Sequence, residues 1–120
     1  MRIRLVTWNC NMALGQKLER LLALEPDIAV VQECADPARE TARGRPLPCA
    51  GFEWVGSNPN KGLGIFTFGD LRVQRHASYT DEFALYLPVE VSGPARLNVL
   101  GVWVANKFAA HATNEPAPAI

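Results

Sequence analysis

The sequence lacks a cysteine pattern typical of disulfide frameworks or zinc sites. Its three cysteines, Cys10, Cys34 and Cys49, are odd in number, and no Cys-x-x-Cys pair occurs. This argues against a disulfide-stapled secreted domain or a zinc knuckle and fits a reducing cytoplasm. Cys10 and Cys34 flank polar groups at predicted strand ends, which invites a thiolate-ligand interpretation. Small buried residues at strand ends are the simpler explanation.

The sequence also lacks an excess of charge and any long apolar run. Twelve basic and twelve acidic residues cancel. No global positive field attracts a polyanion, so nucleic acid is neither required nor excluded as a partner. No stretch approaches the ~20 apolar residues of a membrane span, and the N-terminal apolar run is too short for a secretory signal. We therefore expect a cytoplasmic protein without a membrane span.

What the sequence does contain begins with a β-α-β unit. Residues 3–8 are rich in β-branched and aromatic residues, which predicts a strand. Residues 16–24 have helical periodicity, and Pro26 prevents that helix from continuing. Residues 28–31 form a continuous apolar run, typical of a strand buried on both faces. A strand, a helix and a strand within about 30 residues predict two parallel strands.

Beyond this unit the sequence predicts mostly strands. Pro88 predicts an edge or a bulge in one of them. After Val104 the core-forming pattern ends, so we expect one domain over residues 1–104 and an irregular Ala/Pro-containing tail over 105–120. The predicted elements are a helical turn at 38–43, strands at 52–55, 63–68, 71–79, 85–91 and 97–104, a polar loop at 56–62, and a tight turn at Gly69-Asp70.

Two polar residues at the predicted strand ends are candidate ligands for a hard cation. Glu33 lies where a buried strand ends, which is the usual place for a functional side chain in α/β architecture. Asn9 lies at the same end of the first strand if the two strands are parallel and adjacent. Magnesium takes oxygen ligands, often only one or two protein carboxylates, and keeps several waters. Singly, Glu33 is more simply a solvated charge, and Asn9 and Asn11 are turn formers.

Further along the chain, Lys61 precedes a Gly-Leu-Gly segment. The segment is not a P-loop, because no G-x-x-x-x-G-K-[ST] pattern is present. A flexible loop that enters a strand explains the glycines, and Lys61 remains a candidate substrate contact. His76 is expected to be a surface or hydrogen-bonded histidine, and His111 lies in the tail. The tryptophans at 8, 54 and 103 are expected to line the core or a pocket.

Taken together, these motifs resemble those of the endonuclease/exonuclease/phosphatase superfamily. The first strand of that family ends in Trp/Phe-Asn, and here it ends in Thr7-Trp8-Asn9. The second strand commonly reads Asp-Ile-x-x-x-Gln-Glu, which is similar to the segment from Asp27 to Glu33. The stretch from Lys61 to Phe66 resembles the Gly-containing strand that follows. The resemblance covers residues 1–104, strongly to residue 33 and loosely beyond.

The resemblance implies roles for individual residues. Glu33 resembles the metal-binding glutamate, and Asn9 resembles the asparagine near the metal and the phosphate, so both are candidate catalytic and metal-binding residues. Asn11 stands where some members have an aspartate, and it joins Lys61 as a candidate substrate-binding residue. The implied cofactor is Mg²⁺ or Mn²⁺, and the implied substrate is a phosphate ester, with nucleic acid among the candidates.

The implied fold is α/β, the N-terminal half of a two-sheet α/β sandwich of the DNase I-like type, opening with a β-α-β unit before a mostly antiparallel strand series. The implied function is a divalent-metal-dependent hydrolase of phosphate esters. The family's Gly-Asp-x-Asn and Ser-Asp-His motifs do not occur in the sequence. We therefore expect an incomplete domain with little activity, and exposed sheet surface that favours self-association. The alternative is a non-catalytic binding or assembly domain that retains the scaffold.

Overall fold

The structure is a computed structural model that describes residues 2–82 and 85–104. The predicted tail at 105–120 lies outside the described residues. The fold is α/β, with two mostly antiparallel sheets. The elements of the described residues are β1 (Leu5–Asn9), α1 (Leu14–Leu22), β2 (Ile28–Cys34), α2 (Pro37–Ala42), β3 (Gly51–Asn58), β4 (Lys61–Thr67), β5 (Arg72–Arg75), β6 (Tyr86–Ser92) and β7 (Leu97–Val102).

The first sheet has the strand order β1-β2-β4-β3. β1 and β2 are parallel and adjacent, in a register that runs from Leu5 opposite Ile28 to Asn9 opposite Gln32. The parallel pairing predicted from the short helical crossover is therefore confirmed. β4 then pairs antiparallel with both β2 and β3. As a result β2 and β4 occupy the centre of the sheet, which matches their continuous apolar sequences.

The second sheet contains β5, β6 and β7 in that order, and all of its pairings are antiparallel. Gly69, at a φ of 65°, lies in the turn that carries the chain from the first sheet to the second. The predicted turn at Gly69-Asp70 is present, but it joins two sheets. β5 is also shorter than the predicted strand at 71–79, because it pairs with β6 only from Arg72 to Arg75.

Pro88 lies in β6, the central strand of the second sheet, where the sequence predicted an edge or a bulge. Its carbonyl accepts a hydrogen bond from the His76 backbone N–H, just beyond the end of β5. The N–H and C=O of one strand residue point to the same side of the strand. The N–H that Pro88 lacks would therefore also point toward the residues after β5, and not toward β7. The ladder between β6 and β7 therefore loses nothing to the proline.

The loop predicted at 56–62 is mostly strand. β3 continues to Asn58 and β4 begins at Lys61, so only Pro59 and Asn60 separate them. The last three residues of β3 are exposed. Their polarity reflects that exposure, while backbone pairing keeps them extended. This hairpin brings Lys61 to the edge of the sheet at which β2 ends.

Both helices have physical explanations in the sequence. α1 begins and ends two residues earlier than predicted, with Leu14 and Leu21 buried on its apolar face. α2 corresponds to the predicted turn at 38–43. The Asp36 side chain caps α2 by accepting a hydrogen bond from the Ala38 N–H at 2.9 Å, and Pro37 occupies the first turn. Neither described helix is long and apolar enough to cross a membrane.

The described residues form three layers with two apolar interiors. One interior lies between the sheets and includes Ile28, Ile65 and Val89. The other lies between the first sheet and the helices and includes Leu21, Val31 and Phe66. Trp103 packs against the first cluster, and Trp8 and Trp54 pack against the second. The prediction that the tryptophans line the core is therefore confirmed.

Candidate functional site

Glu33 lies at an irregular point of β2. The register between β2 and β4 shifts between Gln32 and Cys34, so Glu33 is the extra residue of a bulge. Its φ is 58°, in the left-handed region that side chains other than glycine seldom adopt. The bulge turns its side chain out of the regular alternation of the strand. Glu25, in the loop after α1, also has a positive φ, so the combination of a positive φ with a bulge at the end of β2 marks Glu33 as a candidate site.

The loop between β1 and α1 is hydrogen-bonded to this bulge. The N–H of Met12 donates to the carbonyl oxygen of Glu33 at 2.8 Å, and Cys10 Sγ donates to the same oxygen at 3.2 Å. The N–H of Cys10 also donates to the Gln32 carbonyl at 3.1 Å. The loop and the bulge therefore form one hydrogen-bonded unit, and Asn9, the last residue of β1, stands beside Glu33 at the same edge of the sheet.

Asn9 forms the turn that opens this loop. Its Oδ1 accepts a hydrogen bond from the Asn11 N–H at 3.0 Å, and Asn11 has a φ of 51°. This is an Asx turn, so the turn-forming interpretation of both residues is correct. A carbonyl oxygen has two lone pairs, and the turn uses one of them. Asn9 Oδ1 thus keeps one acceptor position, and the exposed Asn11 side chain lies on the same loop.

Lys61 joins the site through a contact that sequence reasoning did not predict. Its Nζ lies 3.5 Å from Glu33 Oε1 and 5.5 Å from the centroid of the Trp103 ring. The contact depends on the antiparallel pairing of β2 and β4, which places Gly62 opposite Cys34. The sequence carries no local signal for the contact with Trp103, because that residue follows β7 in the other sheet.

The neighbouring cysteines are buried thiols. Burial raises the pKa of the Cys34 thiol from 9.0 to about 12. Burial also raises the pKa of the Cys10 thiol. Both therefore remain protonated at neutral pH, and each donates to a backbone carbonyl: Cys34 to Val31 and Cys10 to Glu33. The thiolate-ligand interpretation has no support in this arrangement.

His76 follows β5 and has local partners. Its Nδ1 lies 2.7 Å from Ser78 Oγ and accepts a hydrogen bond from the Ser78 N–H at 3.0 Å. The prediction of a hydrogen-bonded histidine is therefore confirmed. His111 lies outside the described residues.

The donor set at this edge suits a hard cation. Glu33 supplies a carboxylate, Asn9 and Asn11 supply amide oxygens, and the remaining positions around Mg²⁺ are commonly filled by water. The Lys61 ammonium, 3.5 Å from the carboxylate, is its present partner. Within residues 2–82 and 85–104, no three His, Cys, Asp or Glu side chains are grouped as a ready-made metal site. The residues present therefore fit a weakly held, largely hydrated ion.

Comparison with protein-family models gives no match for this sequence, and comparison with curated proteins gives none either.

Proposed function

We propose that this chain is a divalent-metal-dependent hydrolase of phosphate esters, of the endonuclease/exonuclease/phosphatase type. The observation that carries the proposal is the common edge at which β1 and β2 end, with Asn9 and Glu33 on adjacent parallel strands. The resemblance of their motifs to that superfamily supplies the reaction. We also propose that the two sheets belong to a two-sheet α/β sandwich of the DNase I-like type.

In this proposal each residue of the edge has a distinct role. Glu33 would hold Mg²⁺ or Mn²⁺ through its carboxylate, and Asn9 would orient the ion or a phosphoryl oxygen through its Nδ2 and the one acceptor position of Oδ1 that the turn leaves. The bound ion supplies polarisation of a phosphoryl oxygen and a lowered pKa of its water. Asn11 and Lys61 would contact the phosphate, since an ammonium and amide N–H groups are donors toward its oxygens. DNA, RNA, nucleotides and lipid or inositol phosphates all present that group, and fold kinship does not choose among them.

We expect slow hydrolysis of an activated aryl phosphodiester in the presence of Mg²⁺ or Mn²⁺. The Gly-Asp-x-Asn and Ser-Asp-His motifs are absent from the sequence. Each general acid or base is worth about 10²–10⁴-fold in rate, so turnover without them should lie near background. The residual metal-dependent rate should disappear in Glu33→Gln, because that variant removes the carboxylate and keeps the shape of the side chain. The measurement is release of the aryl alcohol over a metal titration.

The matched control is Glu25→Gln, which removes an exposed carboxylate from the loop after α1. It should leave the metal-dependent rate unchanged. A rate that persists in Glu33→Gln would place the reaction elsewhere or assign it to a contaminant. Robust turnover that Glu33→Gln abolishes would instead show that the chain, or a second copy of it, supplies the missing groups.

A second candidate function is a non-catalytic binding or assembly domain. The observation that favours it is apolar exposure on the second sheet, where Leu100 is 49% exposed and Val102 is 46% exposed. Apolar side chains on a sheet face are a common feature of interaction surfaces. The two functions differ in one measurement, because only the hydrolase predicts a metal-dependent rate that Glu33→Gln removes.

A further inference from the structure

The position beside Glu33 is occupied by a cation that belongs to the chain itself. Lys61 Nζ lies 3.5 Å from Glu33 Oε1, and the side chains of Lys61 and Glu33 are 40% and 18% exposed. The same ammonium lies 5.5 Å from the centroid of the Trp103 ring, where the face of the indole attracts it. A partly buried carboxylate and an indole therefore hold the lysine from two sides.

The backbone at Lys61 is held in place independently of its ammonium. Asn58 Oδ1 accepts a hydrogen bond from the Asn60 N–H at 2.9 Å, which fixes the two-residue turn before Lys61. The Pro59 carbonyl accepts from the Asp36 N–H at 2.8 Å, and this bond ties the turn to the cap of α2. The start of the side chain is thus fixed, while its end can leave Glu33 by rotating its four-carbon stem.

We propose that Lys61 is the resident counter-ion of Glu33 and that a divalent cation must displace it in order to bind. Mg²⁺ sits about 2.0–2.1 Å from a carboxylate oxygen. An ion bound to Glu33 would therefore lie within roughly 6 Å of an unmoved ammonium, where like charges repel strongly in a partly desolvated site. Lys61 thus lowers the affinity for metal, and it keeps the carboxylate paired when no metal is bound. The inference rests on the proposed function, because it takes Glu33 as the ligand.

The test is Mn²⁺ binding alone, followed by the loss of the electron paramagnetic resonance signal of the free ion. Lys61→Met should bind Mn²⁺ about 3- to 10-fold more tightly than the parent, because the competing charge is gone. Lys61→Gln should also bind Mn²⁺ more tightly than the parent, although its side chain is polar. Agreement between the two neutral variants would show that a folding defect in one of them is not the cause. Lys61→Arg keeps the charge and should restore the low affinity of the parent. Lys17→Met removes a lysine on α1 and should leave the affinity unchanged.

The variant Glu33→Gln separates this inference from the function on which it rests. If Glu33→Gln weakens Mn²⁺ binding and both neutral variants of Lys61 bind no more tightly than the parent, the counter-ion role is wrong while the metal role of Glu33 stands. If Glu33→Gln leaves Mn²⁺ binding unchanged, both proposals are wrong. Tighter binding in Lys61→Arg would also overturn the inference, because charge would then not be the cause.

Discussion

At the scale of single residues, the candidate site is a place where the chain accepts unfavourable backbone geometry. Glu33, Asn11 and Met12 all have positive φ values, from 51° to 61°. Asparagine tolerates this region, but a glutamate or methionine pays a cost there that glycine would avoid. The hydrogen bonds from Met12 and Cys10 to the Glu33 carbonyl hold the strained residues together. Glutamate at this position has no stabilising backbone role, and what distinguishes it from the similarly strained Glu25 is the ion pair of its carboxylate with Lys61 at the end of β2.

The strain predicts the relative stability of two variants. Glu33→Gly and Glu33→Ala both remove the carboxylate and its ion pair with Lys61, but only alanine keeps a Cβ at a φ of 58°. Glu33→Gly should therefore be the more stable of the two by about 1 kcal/mol. The measurement is the free energy of unfolding in urea for each variant. Equal stability, or a more stable alanine variant, would show that Glu33 is not strained in solution.

At the scale of elements, the sequence predicts most where a signal is local. The apolar run of β2 and the proline before it indicate the β-α-β unit, and the register of β1 with β2 confirms it. The sequence predicts a strand on each side of the β3–β4 turn, but the predicted loop is too long because Gly56, Ser57 and Asn58 are polar and exposed yet extended. The contact between Glu33 and Lys61 is not predicted, for a different reason. It depends on which strand lies beside β2, and hydropathy does not encode strand order.

The packing of β4 against its neighbours gives a prediction at this scale. A Cβ on Gly62 would overlap the Trp54 ring and lie 2.6 Å from the Val55 carbonyl oxygen. The Trp54 indole N–H donates to the Cys34 carbonyl at 3.1 Å, directly after the bulge at Glu33. Gly62→Ala should therefore cost about 1–3 kcal/mol of stability, and it should also weaken Mn²⁺ binding by moving the bulge. Urea unfolding and a metal titration measure the two effects.

The control for that variant is a glycine with free space around it. Gly15 lies in α1, and a Cβ there would have no heavy atom within 4 Å. Gly15→Ala should be neutral or stabilising by up to about 1 kcal/mol, because alanine favours the helix. If Gly62→Ala proved as stable as Gly15→Ala, the close packing of Trp54 over β4 would be wrong.

At the scale of the whole molecule, the second sheet has one face on the core and one face toward solvent. On β6 and β7 the inward residues Leu87, Val89 and Gly101 are buried, and the outward residues alternate with them. Two of those outward residues, Leu100 and Val102, are apolar and about half exposed. The sequence shows that β7 alternates, but it does not show which set faces the core, because that depends on how the sheets stack.

The edge of β7 adds a backbone feature to this apolar surface. The N–H of Trp103 donates to the Leu85 carbonyl at 3.0 Å. The backbone N–H and C=O groups of Trp103, Gly101 and Val99 therefore point toward β6. The backbone groups of Asn98, Leu100 and Val102 therefore face the other side, where no strand of the described residues pairs with them. Such an edge, without a partner among the described residues and with apolar side chains, is a template for pairing with another chain. We propose that a second copy pairs there, β7 against β7 around a two-fold axis centred near Leu100.

This arrangement predicts the effect of one charge at the centre of the edge. Leu100→Lys should abolish concentration-dependent association, because a two-fold axis would bring two ammonium groups together in an apolar strip. Leu24→Lys is the matched control, because Leu24 is 51% exposed against 49% for Leu100 but lies in the loop after α1. Sedimentation velocity over rising protein concentration should show the parent and Leu24→Lys associating and Leu100→Lys remaining monomeric.

Since the contact is independent of Glu33, Glu33→Gln should associate as the parent does. A parent that stays monomeric, or association that survives Leu100→Lys, would remove β7 as the interface.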